Sequence, residues 1–130
     1  MTIKTYDEVY NLDINNFIIS IYVDEFGYEE SRKELQNQDN NIYPKSGGNL
    51  WIAFNKKNEI IGTIALLKHS NHDIELKKFY VRNDYRGKSI SKELYSTALD
   101  FCKINSFKRI VLGTYENLTT AVHFYLNRRF

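Results

Sequence analysis

Three strand-like segments follow one another in the middle of the chain. They span Leu50 to Phe54, Ile60 to Leu67 and Ile74 to Val81, and short polar links rich in Asn, Lys, Ser and His separate them. Links of this length favour antiparallel pairing, because a parallel pair needs a crossover of roughly a dozen residues or more. The sequence therefore predicts an antiparallel meander.

A longer connection follows the third strand. After the turn at residues 82–88, a helix is predicted from about Ser89 to Asn105, and the apolar strand Arg109 to Thr114 comes next. One side of that helix is apolar and carries Ile90, Leu94, Ala98, Phe101 and Cys102. Strand, helix and strand in this order form a right-handed parallel crossover. We therefore expect an α/β fold with a mixed sheet.

The N-terminal segment is predicted from weaker patterns. Thr2 to Tyr6 has the pattern of a short strand, and the helix expected after it has one apolar face, formed by Ile14, Phe17, Ile18, Ile21 and Tyr22. Glu29 to Asn37 predicts a second, polar helix. Gln36 to Gly48, with its single proline and paired glycines, predicts a loop at the lip of a site.

Length and charge exclude several classes of protein. The 130 residues fit one domain, 1–130, and a net charge of +2 gives no general field for holding nucleic acid. The longest apolar stretches are strand-sized, so no membrane span is expected. The lone Cys102 and a first segment without an apolar signal core predict a cytoplasmic protein.

The turn at the start of the predicted long helix carries the main functional signal. In residues 81–91, VRNDYRGKSIS, a strand ends, a glycine-containing turn follows and a helix begins. The first helical turn has unpaired N–H groups and partial positive charge, so a pyrophosphate is a suitable ligand. The small residues Gly87, Ser89 and Ser91 would let a pyrophosphate approach the backbone. A tight turn with a solvated basic rim fits the spacing equally well, and neither Rossmann nor P-loop spacing is present.

Residues from Leu76 to Phe130 resemble the GNAT N-acetyltransferase superfamily in the order and spacing of its motifs. Arg86 to Ser91 stands where that family carries its Gln/Arg-x-x-Gly-x-Gly/Ala acyl-CoA loop, preceded by Phe79 to Val81, which resembles its fourth strand. The family's late signature, alanine then Phe-Tyr then Gly-Phe, appears as AVHFYLNRRF at 121–130. With the second and third strands at 47–53 and 59–64, the resemblance covers roughly Gly47 to Phe130.

This resemblance implies a GNAT-like fold with helices on both faces of the sheet. It also implies acetyl transfer from acetyl-CoA to a primary amine of a small-molecule or peptide acceptor, by direct attack. The residues it assigns to the cofactor are Phe79, Tyr80, Val81, Arg86, Gly87, Lys88, Ser89, Ile90 and Ser91. Backbone N–H groups near Phe79 to Val81 would stabilise the oxyanion. The alternative is a catalytically impaired domain that senses acyl-CoA or serves as a scaffold.

Two side chains receive catalytic roles from the same resemblance. Glu75 lies where some members place a glutamate that serves as the base, although a strand-end carboxylate paired with a neighbour equally fits this position. Tyr125 occupies the position of the family tyrosine that protonates the departing thiolate. Cys102 is expected to pack rather than to act as a nucleophile. The three histidines, of which His69 and His72 are expected at the surface, form no metal-ligand spacing, so no metal is expected.

The chain departs from the family pattern at three residues. Ser89 replaces the usual second glycine of the loop, Ser91 replaces its last small residue, and Arg129 stands where glycine usually ends the last helix. That helix is expected from near Leu118, with Ala121, Val122, Tyr125 and Leu126 along one side. The usual C-terminal strand pair would follow it and is missing. We therefore expect the strand Arg109 to Thr114 to lack its usual neighbour, which would favour instability or a homodimer.

Overall fold

Six strands form one mixed sheet in the part of the chain that the computed structural model describes, residues 1–112 and 122–125. In chain order, which is also their order in the sheet, they are β1 (Thr2–Thr5), β2 (Asn49–Phe54), β3 (Ile60–Lys68), β4 (Asp73–Val81), β5 (Arg109–Leu112) and β6 (Val122–Tyr125). All neighbouring pairs are antiparallel except β4 and β5, which are parallel. The predicted meander and the parallel crossover are both confirmed.

Helices cover both faces of this sheet. They are α1 (Asn11–Tyr22), α2 (Arg32–Gln36), α3 (Ile42–Ser46) and α4 (Ile90–Ile104). On one face, α4 buries Leu94, Ala98 and Cys102 in a cluster that includes Ile64 and Ile74 of the sheet. On the other face, α1 buries Ile14, Phe17, Ile18 and Ile21, as predicted, against side chains of β2 and β3. The apolar pattern of the central strands reflects this two-sided burial.

Gly62 in β3 fixes how closely α4 approaches the sheet. A Cβ at this position would lie 2.7 Å from Cδ1 of Leu94, so the helix could not keep its place beside any larger residue. Leu94 is fully buried there, which contributes roughly 1.5–3 kcal/mol to folding. The absence of a side chain at Gly62 therefore permits the close packing of α4 on the sheet at Leu94.

The segment from Gln36 to Gly48 was predicted as a loop, and that prediction is wrong in its second half. Residues Ile42–Ser46 form α3, whose Tyr43 is 1% exposed and packs in the α1-side cluster. The helix ends at Gly47, whose φ of 104° is the left-handed conformation that glycine adopts readily. The predicted polar helix is confirmed more closely, as a 3₁₀ turn at Glu29–Ser31 followed by α2.

The C-terminal prediction is also corrected. Val122–Tyr125 form strand β6 and not part of a helix, and they pair antiparallel with β5, Leu112 lying opposite Val122. Strand β5 therefore has a neighbour on the side where the sequence predicted none. The remainder of the predicted last helix, and Arg129, lie outside the described residues.

Candidate active site

Strand β4 contains a bulge at Lys78. Lys78 has a φ of +54°, and the register with β3 shifts between Thr63 and Ala65. The Thr63 hydroxyl donates a 2.7 Å hydrogen bond to the Lys78 carbonyl and so holds the bulge in place. On the other edge, β4 pairs with β5 from Asp73 to Leu76, opposite Arg109 to Leu112.

The N–H group of Val81 points toward that second edge. Arg82 N–H donates to the Ile61 carbonyl of β3 at 2.8 Å, and Val81 is the preceding residue. Successive N–H groups of a strand point to opposite edges. Val81 therefore directs its donor toward the β5 side of β4, as the oxyanion role predicted for this stretch requires.

The turn after β4 presents backbone donors. Gly87 has a φ of 78°, and open space lies where a Cβ would be. Within residues 1–112 and 122–125, no backbone acceptor takes the N–H of Gly87, Lys88 or Ser89. These groups directly precede α4, whose first turn adds partial positive charge. The turn therefore has backbone donors without described acceptors, and its binding of an anion stays a prediction.

Ser89, the departure from the family loop, has an exposed side chain. Its hydroxyl donates to Glu93 Oε2 at 3.4 Å along the first turn of α4. Ser91 is exposed on the same turn, whereas Ile90 is buried and packs in the core beneath α4. The small polar residues thus face outward while Ile90 anchors the helix start.

Arg86 is exposed, and its guanidinium contacts three groups of the protein. Its Nη2 donates to Glu25 Oε2 at 2.9 Å, its Nη1 donates to Glu25 Oε1, and its Nε donates to the Val81 carbonyl at 2.9 Å. The guanidinium also lies over the ring of Phe26, 5.7 Å from its centroid. Arg86 therefore connects the turn to the segment after α1. Sequence reasoning missed Glu25, which is 61 residues away.

The aromatic side chains of β4 point to opposite faces of the sheet. Phe79 stacks on Tyr95 of α4, with ring centroids 6.4 Å apart. Tyr80 packs in the α1-side cluster and meets Tyr22 edge-on at 6.4 Å. Each of these side chains braces β4 against a helix, which leaves the backbone as the part of this stretch that can serve a ligand.

Glu75 is 3% exposed on β4, and His69 Nε2 lies 2.8 Å from its Oε1. The imidazole retains 23% exposure, so His69 lies at the surface, as the sequence predicted, and its ring also contacts the buried Glu75. Burial and the nearby Glu75 carboxylate raise the pKa of the Tyr43 phenol above its usual value. The structure thus places a carboxylate, an imidazole and a protonated phenol at the first half of β4.

The contact of Lys78 with the segment after α2 was also not predicted from the sequence. Its ammonium donates a 3.1 Å hydrogen bond to Oε1 of Gln38, the second residue after α2. Burial, and to a smaller extent Lys77, lower the pKa of Lys78 to about 8, with Glu34 acting in the opposite direction. No local sequence pattern predicts this contact.

The other predicted residues have simpler positions. Cys102 is fully buried in α4, and burial raises the pKa of its thiol to about 12, in agreement with a packing role. The backbone of Tyr125 lies in β6 opposite Arg109, and its catalytic role stays a prediction. Across residues 1–112 and 122–125, no group of three or more His, Cys, Asp or Glu side chains is placed to hold a metal ion.

The described sheet is mixed, and a glycine-containing turn lies between β4 and α4 in its parallel unit. The profile of the acetyltransferase (GNAT) family matches residues 15–130. The chain therefore belongs to the GNAT family.

Curated relatives share part of this chain. N-acetylaspartate synthetase of Xenopus tropicalis is 29% identical over 84 residues, which are 64% of this chain and 31% of that protein. Streptothricin acetyltransferase A of Bacillus subtilis is 26% identical over 99 residues, 75% of this chain and 57% of that protein. The matches thus cover 31% of the first relative's length and 57% of the second's.

Solved structures share the fold. A GNAT-family acetyltransferase from Staphylococcus aureus Mu50 superimposes with a TM-score of 0.76 at 32% identity, over 92% of this chain and 76% of that one. An aminoglycoside 6'-N-acetyltransferase complexed with coenzyme A gives a TM-score of 0.66 at 15% identity, over 98% of this chain and 78% of the other. In the described part of this chain, no helix has the length and apolar character to cross a membrane.

Proposed function

We propose that this protein transfers the acetyl group of acetyl-CoA to a primary amine of a small-molecule acceptor. The observation that carries the proposal is the turn before α4, in which the N–H groups of Gly87, Lys88 and Ser89 have no backbone acceptor among the described residues. Membership of the GNAT family supports the cofactor. The names of the relatives, an N-acetylaspartate synthetase and a streptothricin acetyltransferase, support an amine on a small molecule.

The residues present fit a pyrophosphate. The positive φ of Gly87 curls the turn so that neighbouring N–H groups point outward, and the open space at its Cα leaves room for phosphate oxygens. Lys88 adds an exposed positive charge to the turn. Gly87, Lys88 and Ser89 would bind the pyrophosphate through their backbone, and bound acetyl-CoA would supply the thioester.

Three groups of the chain would then act on the reaction. The Val81 N–H would stabilise negative charge on the thioester oxygen, Glu75 would take a proton from the amine, and Tyr125 would give a proton to the departing sulfur. The direct attack by the amine uses no nucleophile from the protein. The buried Cys102, with its raised pKa, is unsuited to that role.

Binding of acetyl-CoA is expected to stabilise the folded protein. A ligand that binds only the native state at 100 times its dissociation constant adds about 2.7 kcal/mol to the free energy of unfolding. Urea unfolding with and without acetyl-CoA measures this gain. Pantetheine, which lacks the pyrophosphate, is the control and should give little stabilisation.

Two results would contradict the proposal. Absence of binding to acetyl-CoA at millimolar concentration would remove the cofactor. Binding without release of free thiol, across a panel of amine acceptors that includes amino acids and aminoglycosides, would remove the transfer reaction and leave a protein that only binds the cofactor.

Replacing Glu25 tests what Arg86 does. Glu25→Gln removes the ion pair that ties the turn to the segment after α1, so we expect acetyl-CoA affinity to fall by up to about five-fold, the range of an exposed ion pair. Isothermal titration measures the change. Glu29→Gln is the matched control, since it weakens the exposed Arg32 pair nearby. A rise in affinity would instead show that Glu25 competes with phosphate for Arg86.

A further inference from the structure

The Lys78 ammonium is a cation without a matching anion in the described part of the chain. It is half-buried at the bulge of β4, and its hydrogen-bond partner there is the neutral amide oxygen of Gln38. A lysine ammonium has three N–H donors, so two remain for other groups. A partly buried charge that is not neutralised is costly, and a bound anion would reduce that cost.

The surroundings of this ammonium are positive on balance. Lys77 precedes it on β4, and Glu34 on α2 is the acidic group whose charge acts on it. Glu34 is exposed, and its effect on Lys78 is weaker than those of burial and of Lys77. The local field therefore favours a negatively charged group at this point.

The partner Gln38 is itself held in place by buried side chains. Its backbone carbonyl accepts hydrogen bonds from Asn11 Nδ2 at 3.0 Å and from Asn15 Nδ2 at 2.9 Å, both on α1. Asn40, fully buried, donates to Asn15 Oδ1 at 2.8 Å and completes this network. The backbone of Gln38 is thus fixed on α1, and its side-chain amide oxygen accepts the hydrogen bond from Lys78.

The position of Lys78 matches the side from which an acceptor would arrive. The face of the sheet under α4 is packed with Leu94, Ala98 and Cys102. Lys78 reaches toward α2, on the opposite face, and it precedes Val81 by three residues. A group bound to Lys78 would therefore lie on the α2 side of β4.

We propose that Lys78, supported by Gln38, binds a carboxylate of the acceptor, so that the substrates are amino acids or other amines that carry a carboxylate. This inference rests on the proposed function, because it names the acceptor class for the same site. Lys78 is assigned here to recognition of the acceptor and not to the chemical step.

Binding of reaction products tests the inference without turnover. The probes are N-acetylated glycine, alanine, aspartate and glutamate and the matching amides in which each carboxylate is replaced, titrated into the protein loaded with CoA. We expect at least one acid to bind about ten-fold or more tighter than its amide. Lys78→Met should abolish this preference and Lys78→Arg should retain much of it. Lys33→Met, which removes an exposed charge from α2, is the control and should leave the preference unchanged.

The pH dependence gives a second readout. N-acetylated products have no amine to titrate, so a change in their affinity near pH 8 reports on the protein. The ammonium of Lys78 loses its proton as the pH rises through about 8. The preference for the acid over the amide should therefore decline above that pH in the wild type, and Lys78→Met should show no such decline.

Failure of this inference can be told apart from failure of the proposed function. If no acid binds tighter than its amide, or if Lys78→Met keeps the preference, the inference is overturned even where amines are acetylated. If the preference exists and depends on Lys78 but no amine is acetylated, the carboxylate site stands and the transferase proposal fails.

Discussion

Glu75→Gln is expected to lower kcat by roughly 10² to 10⁴ while leaving acetyl-CoA affinity unchanged, because it removes the proposed base and keeps the shape of the side chain. Thiol release under saturating acceptor measures kcat, and titration measures the affinity. The loss should shrink for amines that are already neutral at the assay pH, since these need less help in losing a proton. A purely structural role for Glu75 would not produce that dependence on the acceptor.

Glu59→Gln is the matched control for this experiment. Glu59 is an exposed carboxylate in the turn before β3, where it accepts a hydrogen bond from Asn55 at 2.8 Å. Its replacement should leave kcat within about two-fold, as expected of a surface position. An unchanged kcat in a folded Glu75→Gln protein would reduce Glu75 to an anchor for His69.

Tyr125→Phe is expected to lower kcat by roughly 10² to 10⁴ where proton transfer to the thiolate limits the rate. The change keeps the aromatic ring, so acetyl-CoA affinity should hold. A phenol with a reference pKa of about 10 stays protonated at neutral pH and can protonate a thiolate as its charge develops. Single-turnover measurements isolate the chemical step from product release.

Tyr10→Phe provides the comparison for this variant. Tyr10 packs its ring on Phe54, at 5.3 Å between centroids, and the same hydroxyl loss there should leave turnover unchanged. If Tyr125→Phe also turns over normally, with chemistry shown to be rate-limiting, Tyr125 has no part in the mechanism.

The sheet was predictable because its signal is local. Strands β2, β3 and β5 carry apolar runs, the links within the meander are short, and burial of β2 and β3 by α1 and α4 is what such runs indicate. Helix α3 was missed because Pro44 and the glycines at 47 and 48 read as breakers. Pro44 instead lies within the short helix, and Gly47 ends it.

At the C-terminal strand β6, the sequence predicted a helix where the structure has a strand. A short segment such as Val122 to Tyr125 contains too few residues to separate a helical period from a strand period, and the spacing of the apolar residues from Ala121 to Leu126 favoured a helix. The structure pairs this segment with β5 instead. The partners in the sheet, which lie elsewhere in the sequence, determine the outcome.

One part of the candidate site was predictable from the sequence and another part was not. The turn at 86–91 was predictable because its donors belong to consecutive residues. The contacts of Arg86 with Glu25 and of Lys78 with Gln38 join residues 61 and 40 positions apart, and no spacing rule connects them. Such contacts depend on how α1 and α2 lie on the sheet, which only the folded structure shows.

Gly62 and Gly87 resist substitution for different physical reasons. At Gly87 there is room for a side chain, but the positive φ makes one cost about 1 kcal/mol or more. At Gly62 the added atom would collide with Leu94 in the core, and overpacking costs typically about 1–3 kcal/mol. A side chain at position 62 of β3 would therefore require Leu94 on α4 to shift, so the packing of the helix on the sheet restricts both positions together.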